Sequence, residues 1–319
     1  MHDESTVAAE VCKASEASSL TLESHPNHEI HLGKLVVSRA LPLRGRRLVG
    51  PWCFLDRFGP MTFHDSKPMD VAPHPHIGLQ TVTWLLSGEI VHNDSLNSES
   101  LARPGGVNVM TSGRGIAHTE QTPVSNSGSL DGVQLWTALP STDRHMEPTF
   151  EAIREVPKIE FPGGIAQSFA GTIAGTKQAS PAKYFSEILG ADLQIHVRST
   201  LNLPLDPTYE HALLVLSGDC ALEDQPLSPG NLYYLGRQRA EVCLRSQAGA
   251  RVLVIGGPPF PEAILMWWNF VARNPEEIAQ ARSDWESIVH PRFSDVTAYK
   301  GPRLEAPPLV KFAHPNPLS

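Results

Sequence analysis

The sequence predicts an all-β protein built from two antiparallel β-barrel domains, with one short helix towards its C-terminal end. Short apolar runs, such as Thr81 to Leu86 and Val133 to Leu139, are separated by turns rich in Gly and Pro. This regular punctuation is typical of sandwiches and barrels and differs from the alternating strand and helix pattern of α/β proteins. The length of 319 residues is enough for two domains of ordinary size.

An internal repeat is the second indication of two similar domains. The segment TWLLSGE at 83–89 returns in outline as LLVLSGD at 213–219, and RPG at 103–105 is echoed by SPG at 228–230. A hydrophobic strand, a Ser-Gly-acid turn and a later Pro-Gly turn that occur twice indicate two copies of one β unit. Chance likeness between turn-rich strands is the alternative.

The N-terminal segment differs in composition from the rest of the chain. Residues 1–30 hold six acids and one base, and residues 1–29 contain no aromatic residue. Such a segment cannot bury much apolar surface, so we expect a flexible, disordered acidic tail over 1–29. A targeting or partner-binding peptide is the alternative.

The remaining domain limits follow from the turns and the helical signal. The run Asn274-Pro275-Glu276-Glu277 offers an N-cap, a Pro in the first turn and a Glu three residues after the cap, which predicts a helix over about 275–288. We therefore predict three segments after the tail: a first barrel over 30–145, a connecting segment over 146–182, and a second barrel over 183–319 that ends with this helix.

Composition excludes several functional classes. Thirty-four acids against 26 Lys and Arg leave a net charge of −8, so direct binding of nucleic acid through a basic surface is not expected. No apolar run approaches the ~20 residues of a membrane helix, and the first residues lack the features of a secretory signal. The four Cys show no CxxC spacing. We expect a monomeric cytoplasmic protein.

Two triplets of ligand-type side chains carry the chemistry. His74-Pro75-His76 and His118-Thr119-Glu120 each place two ligand groups at positions i and i+2, which share one face of a strand. Two such strands side by side bring three imidazoles and one carboxylate together. This donor set suits Fe, Mn, Co, Ni, Cu or Zn and leaves coordination positions open for small molecules. The alternative is that these are ordinary polar residues of a β protein.

The runs around these triplets resemble a known family. They are LVGPWCFLDRFGP at 48–60, PHPHIGLQTVTWLLSG at 73–88 and RPGGVNVMTSGRGIAHTE at 103–120, followed by Leu135-Trp136 and ILMWWNFV at 264–271. Together they resemble the pirin family, whose members are bicupins of the cupin superfamily. The resemblance covers roughly residues 30–290.

The resemblance implies two stacked jelly-roll barrels, of which only the N-terminal one binds metal. It implies ferrous iron held by the residues that match the family's ligands, which are His74, His76, His118 and Glu120; Mn, Co, Ni, Cu and Zn stay open. In the second copy, Pro204 and Asp206 stand 130 positions after His74 and His76, so the second barrel is expected to lack the ligand set. We expect His196 and His211 there to be structural or exposed.

Four other positions bear on this expectation. Gln80 stands where many pirins have Glu, so acid–base work in the site is left to Glu120, and Arg57 stands where relatives often have His. Neither change affects the four expected ligands. We place His92 and Asp94 on a solvent-facing strand, with a contact to the ligand residues as the alternative.

The resemblance also implies a function. Some pirins are similar to quercetin 2,3-dioxygenases, which open a flavonol ring with dioxygen, and Glu120 would then serve as both ligand and proton acceptor. Other pirins resemble non-enzymatic, redox-sensing nuclear cofactors that bind a transcription factor, which adds the nucleus as a location. A protein with neither activity is the third reading.

Overall fold

The described part of the chain is almost entirely antiparallel β structure. The computed structural model describes residues 10–12, 22–32, 35–64, 66–287 and 291–309. Its first strands are β1 (Glu10–Cys12), β2 (Glu23–Pro26), β3 (His28–Leu32), β4 (Leu35–Leu41), β5 (Trp52–Thr62), β6 (Asp70–His76), β7 (Leu79–Ser87), β8 (Ile90–Asp94), β9 (Glu99–Ala102), β10 (Val107–Thr111), β11 (Ile116–Gln121), β12 (Ser129–Ala138) and β13 (Thr149–Ile153). The later elements are β14 (Lys158–Phe161), β15 (Gly164–Gly171), β16 (Leu189–Ile195), β17 (Ser199–Pro204), β18 (Glu210–Gly218), β19 (Cys220–Leu222), β20 (Gln225–Leu227), β21 (Asn231–Gly236), β22 (Glu241–Ser246), β23 (Ala250–Gly257), β24 (Ile264–Trp267), β25 (Phe270–Ala272) and α1 (Pro275–Glu286).

Each domain contains a seven-stranded and a four-stranded sheet, and β1, β24 and β25 form a further three-stranded sheet. In the first domain the orders are β13-β10-β7-β12-β5-β4-β3 and β6-β11-β8-β9. In the second they are β14-β15-β16-β23-β18-β21-β2 and β17-β22-β19-β20. The fold class is therefore as predicted, two cupin-type jelly rolls, although the two sheets of each domain stay separate and do not close into a continuous barrel.

The internal repeat corresponds to equivalent strands. The TWLLSGE segment lies on β7 and its echo lies on β18, and each is the third strand from one end of its seven-stranded sheet. Read in the same direction, β10 matches β21 and β12 matches β23. The repeated turn sequences therefore mark two copies of one sheet.

Parts of the predicted tail and connecting segment are paired in these sheets. Strand β2 is the edge strand of the second domain's larger sheet, with Glu23 opposite Tyr234, and β3 pairs with β4. Residues 23–29 are therefore not a free tail, because their backbone hydrogen bonds are made in two sheets. Residues 10–12 are not free either, because β1 pairs with Ile264–Met266 of β24. Residues 1–9 and 13–21 lie outside the described residues, so a flexible tail there stays a prediction. Within 146–182, β13 joins the first domain, while β14 and β15 join the second.

Two buried tryptophans join the domains. Trp52 Nε1 donates to the carbonyl of Leu189 at 2.9 Å, and Trp84 Nε1 donates to Oδ2 of Asp192 at 2.9 Å. Both indoles pack on Phe169, the first edge-on and the second stacked at 5.1 Å between ring centroids. These residues share one apolar core that draws on both domains.

Polar contacts extend the same interface. Arg57 Nη1 donates to the carbonyl of Leu216 at 2.6 Å. In the same direction, the amide of Gly50 donates to the buried Glu210 carboxylate at 2.7 Å. Within the second domain, the Tyr234 hydroxyl donates to that carboxylate at 2.9 Å. Arg57 thus contributes to the contact between the two domains and not to the histidine triplets.

The helix begins where its N-cap signal predicts. Asn274 Oδ1 accepts from the amide of Glu277 at 2.9 Å, and Pro275 occupies the first turn. The helix ends at Glu286, before residues 288–290, which are not described. Its buried face packs on the hairpin β24–β25 and thereby places that hairpin against the first domain. Among the described helices none is both long and apolar enough to span a membrane.

Among the described residues of the second domain, the buried histidine His211 is expected to make the domain sensitive to acid. His211 is fully buried, whereas His196 is exposed. Burial lowers the pKa of His211 to about 4, so the folded state binds this proton more weakly than the unfolded chain, whose imidazole titrates near 6.5. The contribution of buried, neutral His211 to the free energy of unfolding is therefore complete above pH 6.5. It is lost as the pH falls from 6.5 towards 4.

We expect His211→Leu to remove this sensitivity. Between pH 7 and pH 5 the wild type should lose about 2 kcal/mol more unfolding free energy than the variant. Urea unfolding of the metal-free protein at both pH values measures the difference. Parallel losses in the two proteins would show that His211 does not titrate with a lowered pKa.

Candidate metal centre

Three neighbouring strands of the smaller N-terminal sheet build the site. Strand β11 lies between β6 and β8, and His118 on β11 faces His74 on one side and Asp94 on the other. The turn before β11 requires a glycine, because Gly113 has a φ of 49° and a Cβ there would collide with the carbonyl of Met146. The pairing of β6 with β11 therefore places the two predicted triplets side by side.

The three predicted histidines converge. One ligand nitrogen from each of His74, His76 and His118 lies within 4.8 Å of the others, and the Nε2 atoms of His76 and His118 are 3.1 Å apart. The three residues are 7%, 1% and 1% exposed, respectively. The cluster is thus shielded from water, with His74 nearest to the surface.

Glu120 lies beside this cluster and is not part of it. The pairing of β11 with β6 shifts register between His118 and Glu120, and the carboxylate meets the hydroxyl of Thr83 on β7. Burial raises the pKa of Glu120 to about 7. The structure brings the three imidazoles together as predicted, whereas a ligand role for Glu120 stays a prediction.

Backbone carbonyls orient two of the imidazoles. His74 Nδ1 lies 3.0 Å from the carbonyl of Ala72, and His76 Nδ1 lies 3.1 Å from the carbonyl of Asn269. A carbonyl oxygen can only accept, so in each neutral ring the hydrogen is on Nδ1 and the Nε2 lone pair points to the cluster. Asn269 belongs to the β24–β25 hairpin, which explains how the C-terminal segment contributes to the site.

The third imidazole is oriented by side chains that the sequence analysis placed elsewhere. His118 Nδ1 lies 3.3 Å from His92 Nδ1, and His92 Nε2 lies 3.1 Å from Oδ2 of Asp94. His92 and Asp94 are 5% and 2% exposed, so their placement on a solvent-facing strand was wrong. The signal was available, because His92-x-Asp94 has the same i, i+2 spacing as the two ligand triplets.

The donor set suits a divalent metal ion. Burial lowers the pKa of His74 to about 4 and the pKa values of His76 and His118 well below the usual range, which keeps the rings neutral. His76, with its hydrogen on Nδ1, points its Nε2 lone pair at Nε2 of His118 across 3.1 Å. Neutral imidazole is a good ligand for first-row transition metals, so a cation can bind between these nitrogens.

Gln80 faces away from the imidazoles. Its Nε2 donates to the Thr111 hydroxyl and to the carbonyl of Lys183 in the second domain, both at 3.0 Å. Thr83, three positions further along the same strand, points to the opposite face and meets Glu120. The Gln at this position therefore acts at the domain interface.

An aromatic wall borders the cluster. Phe54 and Trp136 stack with ring centroids 3.9 Å apart, and the Trp136 ring lies edge-on to His76 at 5.1 Å. Met266 of the C-terminal hairpin is buried in the same apolar group. Buried aromatic side chains thus lie directly beside one of the three imidazoles.

Comparison with known proteins decides the family. The family model described as Pirin matches residues 34–137, and the model described as Pirin C-terminal cupin domain matches residues 190–291. The chain belongs to the pirin family. The first model spans all three histidines of the cluster, and the second covers the domain in which the sequence analysis expects no ligand set.

Similar pirin-family proteins occur in several bacteria. The chain is 44% identical over 277 residues to a Pseudomonas aeruginosa protein named "Putative quercetin 2,3-dioxygenase PA1205", with 87% of each chain covered. It is 34% identical to a pirin-like protein of Caulobacter vibrioides, covering 80% of this chain and 90% of that one. A crystal structure of quercetin 2,3-dioxygenase from Acinetobacter baumannii aligns with a TM-score of 0.86 at 38% identity, covering 92% of this chain and 97% of that one.

Proposed function

We propose that this pirin-family protein is a metal-dependent dioxygenase that opens the central ring of a flavonol such as quercetin, with catalysis in the N-terminal domain. The observation that carries the proposal is the convergence of three buried, neutral imidazoles beside a stacked aromatic wall. The names of the Pseudomonas and Acinetobacter relatives support the same reaction class. Fe(II) is the metal we propose, from the family resemblance.

The protein's own groups then have distinct tasks. His74, His76 and His118 would hold the ion. The ion would couple an electron-rich, deprotonated substrate to dioxygen. Glu120 accepts the proton of the flavonol 3-hydroxyl, and its pKa of about 7 suits a base that works near neutral pH. In this proposal Glu120 is also the fourth ligand.

Access to the site follows from burial. His74 and Glu120 are the more exposed members of the site, whereas His76 and His118 are almost completely covered. A substrate therefore approaches from the side of His74 and Glu120. The stacked rings of Phe54 and Trp136 are themselves buried, so they would form an apolar wall behind His76 and not an open face of the site.

Glu120→Gln tests the role of the carboxylate. We expect the rate of quercetin cleavage to fall by about 10²- to 10⁴-fold, because the amide keeps the shape of the side chain but cannot accept the proton. Loss of quercetin absorbance measures the rate, and elemental analysis of the same sample measures bound metal. Glu99→Gln, on the exposed edge strand β9 of the same sheet, is the matched control.

The two measurements separate the two tasks of Glu120. Cleavage at the wild-type rate with metal bound would contradict its role as base. Loss of bound metal together with activity would show that the carboxylate acts chiefly as a ligand.

A regulatory function, the alternative, would require different properties of the same site. A redox-sensing cofactor of a transcription factor needs a surface that responds to the oxidation state of the metal and needs no flavonol. Anaerobic quercetin should perturb the metal's absorption spectrum if the proposed pocket exists. An unchanged spectrum, combined with partner binding that depends on oxidation state, would favour regulation instead.

A further inference from the structure

The carboxylate of Asp94 is held in one orientation. Its Oδ1 accepts from the amides of Leu96 and Ser98, both at 2.9 Å, in the turn that follows β8. Its Oδ2 faces His92 Nε2 at 3.1 Å, and the side chain has no exposed surface. Burial raises the pKa of Asp94, but the hydrogen bonds from His92 and the two amides outweigh it and leave the pKa lower than usual, so the group is an anion that only accepts.

The ring of His92 is held as well. It stacks on Phe150 with ring centroids 4.2 Å apart and planes 8° from parallel. Its two nitrogens meet different partners, Asp94 at Nε2 and His118 at Nδ1. Stacking on one face and a contact at each nitrogen prevent the ring from turning over.

These contacts fix the position of each hydrogen in turn. Because Asp94 only accepts, His92 donates to it from Nε2, and the ring presents its other nitrogen, Nδ1, to His118 as the acceptor. That nitrogen accepts from Nδ1 of His118, so the lone pair of His118 is on Nε2, inside the three-histidine cluster. With the ring hydrogen of His92 on Nδ1 instead, the Nε2 lone pair would face the Asp94 carboxylate, and the two would repel each other.

We propose that Asp94 and His92 are positioning residues that select the tautomer and the orientation of the ligand His118 and thereby raise the metal affinity of the site. This inference rests on the proposed metal site. His74 and His76 are oriented by backbone carbonyls, which no side-chain substitution removes. Of the three imidazoles, His118 is the one whose orientation depends on other side chains.

Asp94→Asn tests the proposal with little change in shape. The two turn amides need an acceptor, so the Asn oxygen will face Leu96 and Ser98, and its NH₂ group will face His92 Nε2. The hydrogens of His92 and His118 are then reversed, and the His118 hydrogen lies on Nε2, where the metal binds. We expect Co²⁺ affinity to fall by about 10- to 100-fold, the usual effect of losing such a partner.

Asp219→Asn is the matched control in the second domain. Asp219 also accepts from two backbone amides, those of Gln247 and Ala248, and from the hydroxyl of Ser246, so the substitution disturbs a similar turn far from the metal. Titration of metal-free protein with Co²⁺ against a competing chelator gives the affinities. We expect Asp219→Asn to bind Co²⁺ like the wild type.

Two substitutions of His92 test the same proposal without changing Asp94 or the turn that it holds. His92→Gln can still accept from His118 and donate to Asp94, so we expect Co²⁺ affinity close to that of the wild type. His92→Leu can do neither, and we expect the same 10- to 100-fold loss as in Asp94→Asn. Equal affinities of the Gln and Leu variants would overturn the proposal.

The nitrogen-15 NMR shifts of the histidine side chains in the metal-free protein read the tautomer directly. We expect the hydrogen of His118 on Nδ1 in the wild type and on Nε2 in Asp94→Asn. An unchanged tautomer in Asp94→Asn would overturn the inference, whatever the activity. Failure of quercetin cleavage, with these shifts and affinities as expected, would overturn the proposed reaction and leave the positioning role intact.

Discussion

His118→Ala is expected to leave the purified protein without bound metal and without quercetin cleavage. His118 lies on the central strand of the site and provides one of the three imidazoles that could hold a metal ion. Its removal deletes a proposed metal ligand. The loss of metal affinity should therefore exceed the loss of about 10- to 100-fold expected when a residue that only orients a ligand is changed. Elemental analysis after identical purification of variant and wild type measures the result.

The control for this prediction is His196→Ala. His196 is exposed in the second domain, so its loss should leave metal content and cleavage unchanged. Wild-type metal content in His118→Ala would contradict the placement of the metal centre between β6 and β11.

Trp84→Ala is expected to cause the largest loss of stability, about 4 kcal/mol of unfolding free energy. The indole is fully buried between the domains, stacks on Phe169 and donates to Asp192. Truncation leaves a cavity in the core that the two domains share and removes one donor from a buried carboxylate. Denaturant unfolding followed by circular dichroism measures the change.

Trp84→Phe separates the two contributions of the indole. The phenyl ring keeps much of the stacking on Phe169 and loses the hydrogen bond, so we expect a loss of about 1–3 kcal/mol. Equal losses in the Ala and Phe variants would contradict the importance of the buried ring. Metal content per folded molecule should stay at the wild-type level in both variants, because Trp84 faces the second domain.

Local spacing was enough to predict the histidine cluster. In a strand, residues i and i+2 share a face, so His74 and His76 had to point the same way. The Ser-Gly-acid repeat likewise predicted two similar sheets, and the Asn274-Pro275 pair predicted the start of the helix. These predictions depend on geometry within a few residues and needed no knowledge of distant partners.

Burial of a strand on both faces is harder to predict. Strand β8 carries His92 and Asp94, and its polar residues favoured exposure, yet four of its five residues are buried because β11 and β13 pack around it. The same difficulty applies to Gln80. The neighbouring sequence does not show that its face of β7 contacts the second domain, so it was considered together with the site residues.

Contacts between residues far apart in the sequence could not be predicted for a different reason. The carbonyl of Asn269 orients His76 across 193 positions of sequence, and a backbone acceptor has no signature in composition or motif. Strand β2 has no apolar run, so its sequence resembles a tail; pairing with β21 alone makes it a strand.

Oxygen uptake with quercetin, on protein of known metal content, tests the central claim most directly. The protein is purified without added metal, analysed for its elements, and then assayed as isolated, after chelation and after return of Fe(II). We expect close to one metal ion per chain and quercetin loss matched by oxygen uptake and carbon monoxide release, with activity abolished by chelation and restored by the metal. Metal-bearing protein that consumes neither quercetin nor oxygen would contradict the account.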